Sequence, residues 1–166
     1  MNKAERPEKR IAKIFKPGIW LPVAAFAVIA YLVFGWLLVP LRVRTADMTP
    51  TFEQGELVFC CRPWYWLREP ERHDLVVLRP PRGKGLLIRR VVALPGETVG
   101  FYKGKVVVNR KDLAQPYVEA RGTWTLLPSK VPDGMVYAVG DNRSMPPKQT
   151  RFGLVDLKDV VGRPVW

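Results

Sequence analysis

With two cysteines, one histidine and no Cys-x-x-Cys spacing, this 166-residue chain lacks the usual means of holding zinc, haem or an iron–sulfur cluster. No metal and no cofactor is expected. Cys60 and Cys61 are neighbours, and adjacent strand residues point to opposite faces, so a disulfide between them is sterically difficult. Two separate structural thiols are the expectation. Acidic residues are scarce as well, 15 against 27 Lys and Arg, for a net charge of +12. Such a balance suits anionic lipid headgroups or nucleic acid. The basic residues are scattered among β-prone segments and form no recognition motif, which argues against nucleic acid and for membrane lipids as the partner.

Charge is missing altogether from Gly18 to Leu41, where Trp20, Leu21, Val23, Phe26, Val28, Ile29, Leu32, Val33, Phe34, Trp36, Leu37 and Leu38 give a continuous apolar surface. That length suffices to cross a bilayer core of roughly 30 Å. A buried soluble helix would show a polar face, and this run has none. A cleavable signal peptide would have a shorter apolar core and an Ala-x-Ala exit. The run ends instead in Val39-Pro40-Leu41-Arg42-Val43-Arg44, so an uncleaved anchor is expected. Lys3, Arg6, Lys9, Arg10, Lys13 and Lys16 precede it, which by the positive-inside rule places the N-terminus in the cytoplasm, although Arg42 and Arg44 charge the other flank too. The organisation predicted is a basic cytoplasmic segment (1–17), a transmembrane anchor (18–41) and one extracytoplasmic β domain (42–166).

Beyond the anchor, short β-rich runs alternate with Gly and Pro breaks: Leu57–Cys61, Leu75–Leu78, Leu86–Leu94, Thr98–Tyr102, Lys105–Asn109 and Met135–Val139. A mainly β domain follows. Tyr102-Lys103-Gly104-Lys105 has the composition of a tight hairpin, with Gly where positive φ is tolerated. Trp64-Tyr65-Trp66-Leu67, between Arg62 and Arg68 and flanked by Pro63 and Pro70, forms an aromatic and basic loop. Such a loop suits a bilayer interface, and its rings could equally cap the β core.

Four blocks in register carry a resemblance. Thr45-Ala46-Asp47-Met48-Thr49-Pro50-Thr51 is followed by Gly55-Glu56-Leu57-Val58, then by His73-Asp74-Leu75-Val76-Val77. Leu87-Ile88-Arg89-Arg90-Val91-Val92-Ala93-Leu94-Pro95-Gly96-Glu97 comes next, and Pro132-Asp133-Gly134 with Gly140-Asp141-Asn142-Arg143 completes the set. In order and spacing these resemble the type I signal peptidases, Ser/Lys peptidases with Ser-x-Ser-Met-x-Pro-Thr, Gly-Asp, Tyr-Ile-Lys-Arg-Val and Gly-Asp-Asn-Arg blocks. The resemblance implies a signal-peptidase-like β fold behind one N-terminal transmembrane helix, probed by signal peptides or preproteins.

Carried over by position, it implies that Asp47 stands at the nucleophile position and Arg89 at the position of the Lys general base. Thr45 holds the place whose hydroxyl helps bind the oxyanion. Met48, Pro50, Arg90, Gly140, Asp141, Asn142, Arg143 and Arg151 fall on the family's structural motif positions, with Asp141 as the partner of Arg90. Where the family reads Ser-x-Asp-Ser-Arg, this chain reads Pro147-Lys148-Gln149-Thr150-Arg151, without the orienting hydroxyl or the acid. A guanidinium keeps its proton at accessible pH and cannot serve as base. Asp47 and Arg89, placed where Ser and Lys touch, would instead form a charge-assisted pair. The reading is therefore a membrane-anchored pseudopeptidase of the bacterial plasma membrane that binds signal peptides. Its rivals are an active signal peptidase with a non-standard constellation or a partner subunit, and a docking subunit of a membrane complex.

Overall fold

The computed structural model describes residues 17–80, 85–119, 122–145 and 153–165. The chain divides into two units, Met1–Trp36 and Leu37–Trp166. In the first, helix α1 (Pro17–Leu32) continues into a π-helical stretch, Val33–Leu37. Its large side chains are exposed on every side, Leu21 at 77%, Phe26 at 74% and Tyr31 at 76%. Trp20–Leu37 is long and apolar enough to cross a membrane. From Pro17 to Leu37 a helix rises about 30 Å, the thickness of a hydrocarbon core. Pro22 lies inside α1, a position that a lipid-facing helix tolerates better than a soluble one.

The apolar run expected to continue as anchor to Leu41 changes character at Leu38. Strand β1 (Leu38–Arg42) pairs antiparallel with β2 (Leu57–Cys61), and Leu41 is buried in the β core. Pro40 cannot stay in a helix and donates nothing to a ladder, which suits the edge strand that β1 forms.

The remaining strands are β3 (Leu75–Leu78), β4 (Leu87–Ala93), β5 (Thr98–Tyr102), β6 (Lys105–Val108), β7 (Lys111–Asp112), β8 (Leu126–Lys130), β9 (Met135–Val139), β10 (Gly153–Asp156) and β11 (Val160–Val165). They form a seven-stranded sheet in the order β1-β2-β11-β3-β4-β9-β10 and a four-stranded sheet in the order β7-β6-β5-β8. The β5–β6 hairpin closes through Tyr102 opposite Lys105, with Lys103 (φ 47°) and Gly104 (φ 77°) both left-handed, as a type I′ turn demands.

β3 and β4 lie inside the larger sheet, and β3 is buried on both faces. Leu75 and Val77 enter a cluster with Met48, Phe52, Val58 and Cys60, while Val76 and Leu78 enter another with Val91, Val136 and Ala138. A third cluster joins Val92 and Ala93 of β4 to Val99, Phe101, Val106 and Trp124. β4 thus runs between clusters, and that placement buries its two consecutive arginines.

Cys60 is buried and Cys61 half-buried, both free, on opposite faces of β2 as their adjacency requires. Burial pushes the Cys60 thiol up to about 11, against a smaller opposing effect of Arg62.

Candidate active site

The segment after β1 is positioned by its apolar residues. Met48 and Phe52, each 1% exposed, sink into the core on either side of a tight turn. Ala46–Met48 forms one turn of 3-10 helix, in which the Thr49 hydroxyl donates to the Ala46 carbonyl at 2.8 Å. This turn presents Asp47 inward, 4% exposed, and leaves Thr45 exposed in extended conformation (φ −130°, ψ 150°). Pro50 is exposed and joined to Thr49 by a cis peptide bond.

The chain after β9 holds this turn from the other side. The Asn142 backbone N–H donates to the Asp47 carbonyl at 2.9 Å, and its Nδ2 donates to the Ala46 carbonyl and to Thr49 Oγ1, each at 3.0 Å. A Cβ on Gly140 would collide with the Asp47 carbonyl oxygen and come within 3.1 Å of Asp47 Cβ. Glycine is what permits the two backbones to meet there.

Arg89 and Arg90 leave β4 on opposite faces, as strand neighbours must. Each finds its own carboxylate. Arg89, 2% exposed, donates from Nη2 to Asp47 Oδ2 at 2.5 Å and from Nη1 to the Ile88 carbonyl at 2.6 Å. Arg90 donates from Nε to Asp141 Oδ1 at 2.9 Å and from Nη2 to Oδ2 at 2.6 Å, a fork geometry on a fully buried carboxylate. Thr51 Oγ1 adds a donated bond to Asp141 Oδ2 at 2.5 Å. Arg90 Nη1 reaches the His73 carbonyl at 3.1 Å, and its guanidinium lies 3.8 Å from the centre of the Tyr117 ring.

Four of the residues singled out in the sequence therefore meet in two buried ion pairs, Asp47 with Arg89 and Asp141 with Arg90. Asn142 and Gly140 lock the turn between them. Thr45 lies outside this knot on the exposed side, and Arg151, with Pro147, lies outside the described residues.

Arg143 is fully buried, yet only its Nε is bound, to the Gly140 carbonyl at 2.5 Å, while neither Nη atom has a hydrogen-bond partner. Burial lowers its pKa to about 10, and Asp141 opposes that shift. The residues that sequence reasoning missed are Tyr117 and Gln115. Tyr117 carries Arg90 on its ring face, accepts from Gln115 Nε2 at 3.0 Å, and shares a hydrogen bond of 3.0 Å between its hydroxyl and His73 Nδ1. Nothing in their spacing announces this role.

His73 has φ 71°. It occupies the place where the resembling family opens its block with Gly, and a positive φ is what Gly adopts freely. Its carbonyl is the one that Arg90 holds.

Chemically, positions 47 and 89 offer a carboxylate and a permanently charged guanidinium, in place of a hydroxyl and an amine. Among the described residues no second carboxylate shares a proton with Asp47. Asp47 and Asp141 each face a different arginine, with no hydrogen bond between them. Among the described residues no cluster of three His, Cys, Asp or Glu side chains could hold a metal ion.

A model of the family described as "Signal peptidase, peptidase S26" matches residues 18–166. The chain belongs to this family. Signal peptidase I of Bacillus licheniformis is 30% identical over 155 residues, covering 86% of this chain and 83% of that protein. Signal peptidase I V of Bacillus subtilis (strain 168) is 31% identical over 135 residues, covering 73% and 80%. The crystal structure of a signal peptidase I from Enterococcus faecalis V583 aligns with a TM-score of 0.44 at 25% identity, over 58% of this chain and 97% of that one.

Proposed function

We propose that this chain is a membrane-anchored, catalytically silent relative of the signal peptidases that holds signal peptides or preprotein segments without cleaving them. The observation that carries this reading is the buried Asp47–Arg89 ion pair. At the positions where the family places its Ser and Lys, both side chains are consumed by one another. No proton can be taken from a hydroxyl by Arg89, and removing a triad member alone in a well-studied serine protease costs roughly a millionfold in kcat.

Binding can outlast the chemistry. An extended peptide needs an accessible strand edge and pockets for alternate side chains. Thr45, exposed and extended beside the buried Asp47, leaves backbone next to the old reaction centre within reach. The Bacillus relatives favour the bacterial plasma membrane as its home, with α1 as the anchor, the N-terminus cytoplasmic and the β unit outside.

The test is cleavage and crosslinking of a preprotein with an Ala-x-Ala site by the full-length protein in bilayers, beside the Asp47→Ser/Arg89→Lys variant. The expected result is no cleavage by the parent and peptide crosslinks near Thr45. Cleavage by the parent would overturn the reading. An absence of crosslinks would favour a docking role within a membrane complex.

A further inference from the structure

One edge of β4 loses its neighbour before the strand begins. The Val91 N–H donates to the Asp74 carbonyl and the Val91 carbonyl accepts from the His73 N–H, so Leu87, Arg89 and Val91 turn their backbone groups toward β3. By the alternation of an antiparallel strand, Ile88, Arg90 and the preceding Leu86 turn theirs to the other side. There Arg90 pairs with Val139, the last residue of β9. The next residue, Gly140, meets the Asp47 backbone, so the stretch from Arg44 to Asp47 lies beyond Leu86 and Ile88 on the side that β9 has left. The Arg89 guanidinium that holds Asp47 also reaches the Ile88 carbonyl, at 2.6 Å, from this side. Among the described residues no backbone hydrogen bond joins the two stretches. They are the walls of a gap.

The gap has an apolar floor and a cationic rim. Val43 of one wall and Leu86 and Ile88 of the other pack in a single cluster beneath it. Asp47 and Arg89 close one end with their ion pair. At the other end the Arg44 guanidinium lies flat on the backbone of Gly85, where a Cβ would come within 3.1 Å of its Cζ and Nη1 and 3.4 Å of its Nη2. Both residues are exposed. Gly85 precedes Arg89 by four residues, about 13 Å along an extended chain. Neither wall supplies an acid to that end: no Asp or Glu occurs from Leu38 to Ala46 or from Arg79 to Gly96. Asp47 is matched by Arg89, and the Glu56 carboxylate accepts from the Glu53 N–H at 2.9 Å.

We propose that Arg44 is a specificity-determining residue, which makes this chain select extended peptides that carry an acidic side chain about four residues from the end lodged at Asp47 and Arg89. This rests on the peptide-holding reading given above and narrows its ligand class. A strand added in the gap takes its affinity from backbone bonds and its selectivity from what its side chains meet. Small apolar side chains suit the floor of Val43, Leu86 and Ile88. A carboxylate at the far end meets the guanidinium that Gly85 seats, whereas a lysine there meets a like charge. Arg89 cannot set this preference, because its charge is already matched by Asp47.

The test uses the full-length protein in phosphatidylcholine nanodiscs and fluorescent peptides with a neutral stretch ending in Ala-x-Ala, their binding followed by anisotropy. Glu or Lys is placed in turn at the x position and at each of the four residues before the motif. The expected result is that Glu binds more tightly than Lys at the fourth or fifth residue from the end, by roughly threefold to tenfold at low salt and by less at high salt, as attraction and repulsion at an exposed charge add. Arg44→Glu should reverse the order at that position, and Arg44→Lys should keep it. Equal binding of Glu and Lys peptides at every position overturns the proposal and leaves peptide holding intact. A preference that survives Arg44→Glu overturns it too, since the charge would then belong to another side chain. If the parent binds none of the peptides, neutral ones included, the peptide-holding reading fails and this proposal with it.

Discussion

Replacing Asp47 by Ser alone should damage this protein more than replacing Asp47 and Arg89 together. In the parent, the Arg89 side chain is 2% exposed and the Asp47 side chain 5%, and the pair meets at 2.5 Å. Asp47→Ser leaves a buried guanidinium that cannot shed its proton, with a neutral hydroxyl where its carboxylate stood. Leaving one member of a buried pair uncompensated costs about 3–5 kcal/mol. For a β unit of about 130 residues that is a fall of roughly 10–20 °C in Tm. With Lys at 89 as well, the desolvated amine can become neutral, so the obligatory buried charge disappears. What remains is a lost hydrogen bond and a small void, about 1–3 kcal/mol. The Tm of the β unit, followed by near-ultraviolet circular dichroism of full-length protein in nanodiscs, should therefore rank parent, then double variant, then Asp47→Ser. Equal melting temperatures for the single and double variants would refute the argument.

Three further expectations concern single side chains. Burial, with Arg72 and Arg90 nearby, lowers the pKa of His73 from its ordinary 6.5, so the unfolded chain binds the proton more readily. Stability should then be complete above about pH 6.5 and decline as the pH falls through that value, and His73→Asn should flatten this part of a pH series of denaturant melts. Iodoacetamide should modify Cys61 in the native protein and reach Cys60 only on unfolding, because Cys60 is fully buried with its thiol pushed up to about 11; mass spectrometry of digests distinguishes the two. Arg143→Met, which removes a buried charge whose Nη atoms have no partner, should cost no more than about 1 kcal/mol in urea melts, whereas Arg90→Met strands the buried Asp141 and should cost about 3–5 kcal/mol.

The contrast between Arg143 and Arg90 also marks how far the sequence could be read. Strands with an unbroken apolar run or a hairpin signal, such as Leu75–Leu78 and Thr98–Tyr102, were legible because burial and turn chemistry are local. β1 was hidden inside the apolar run, since Leu38–Leu41 is as hydrophobic as the helix before it and only Pro40 hints at the change. β11 carries Gly162 and Pro164, which argue against a strand. Pro164 is tolerated because that stretch of β11 pairs with β2 alone, β3 having paired at Val160 and Gly162. The ion pairs were legible only through the family resemblance, which set Asp47 beside Arg89 and made Asp141 the partner of Arg90. The Tyr117 platform was not, because a ring that supports an arginine from a distant loop leaves no periodic trace. The aromatic loop, equally suited in sequence to core and to membrane, turns Tyr65 into the core and leaves Trp66 and Leu67 exposed.

On the proposed reading, the two replaced positions are coupled by physics rather than by adjacency. A Ser at 47 facing Arg89 would have a hydroxyl but no base, and would destabilise its own surroundings. A Lys at 89 facing Asp47 would keep the fold but sit beside a carboxylate that favours its protonated form, so it too could not act as base, and no hydroxyl would stand at 47. The two single variants should thus be silent for different reasons, one through an uncompensated charge and the other through a compensated one. Only the double variant removes both obstacles. Cleavage of a preprotein by Arg89→Lys alone would mean that the nucleophile is not at position 47, and the search would then have to turn to Thr49, Thr51 or Ser144, of which Thr49 and Thr51 are already engaged, by Asn142 and by Asp141.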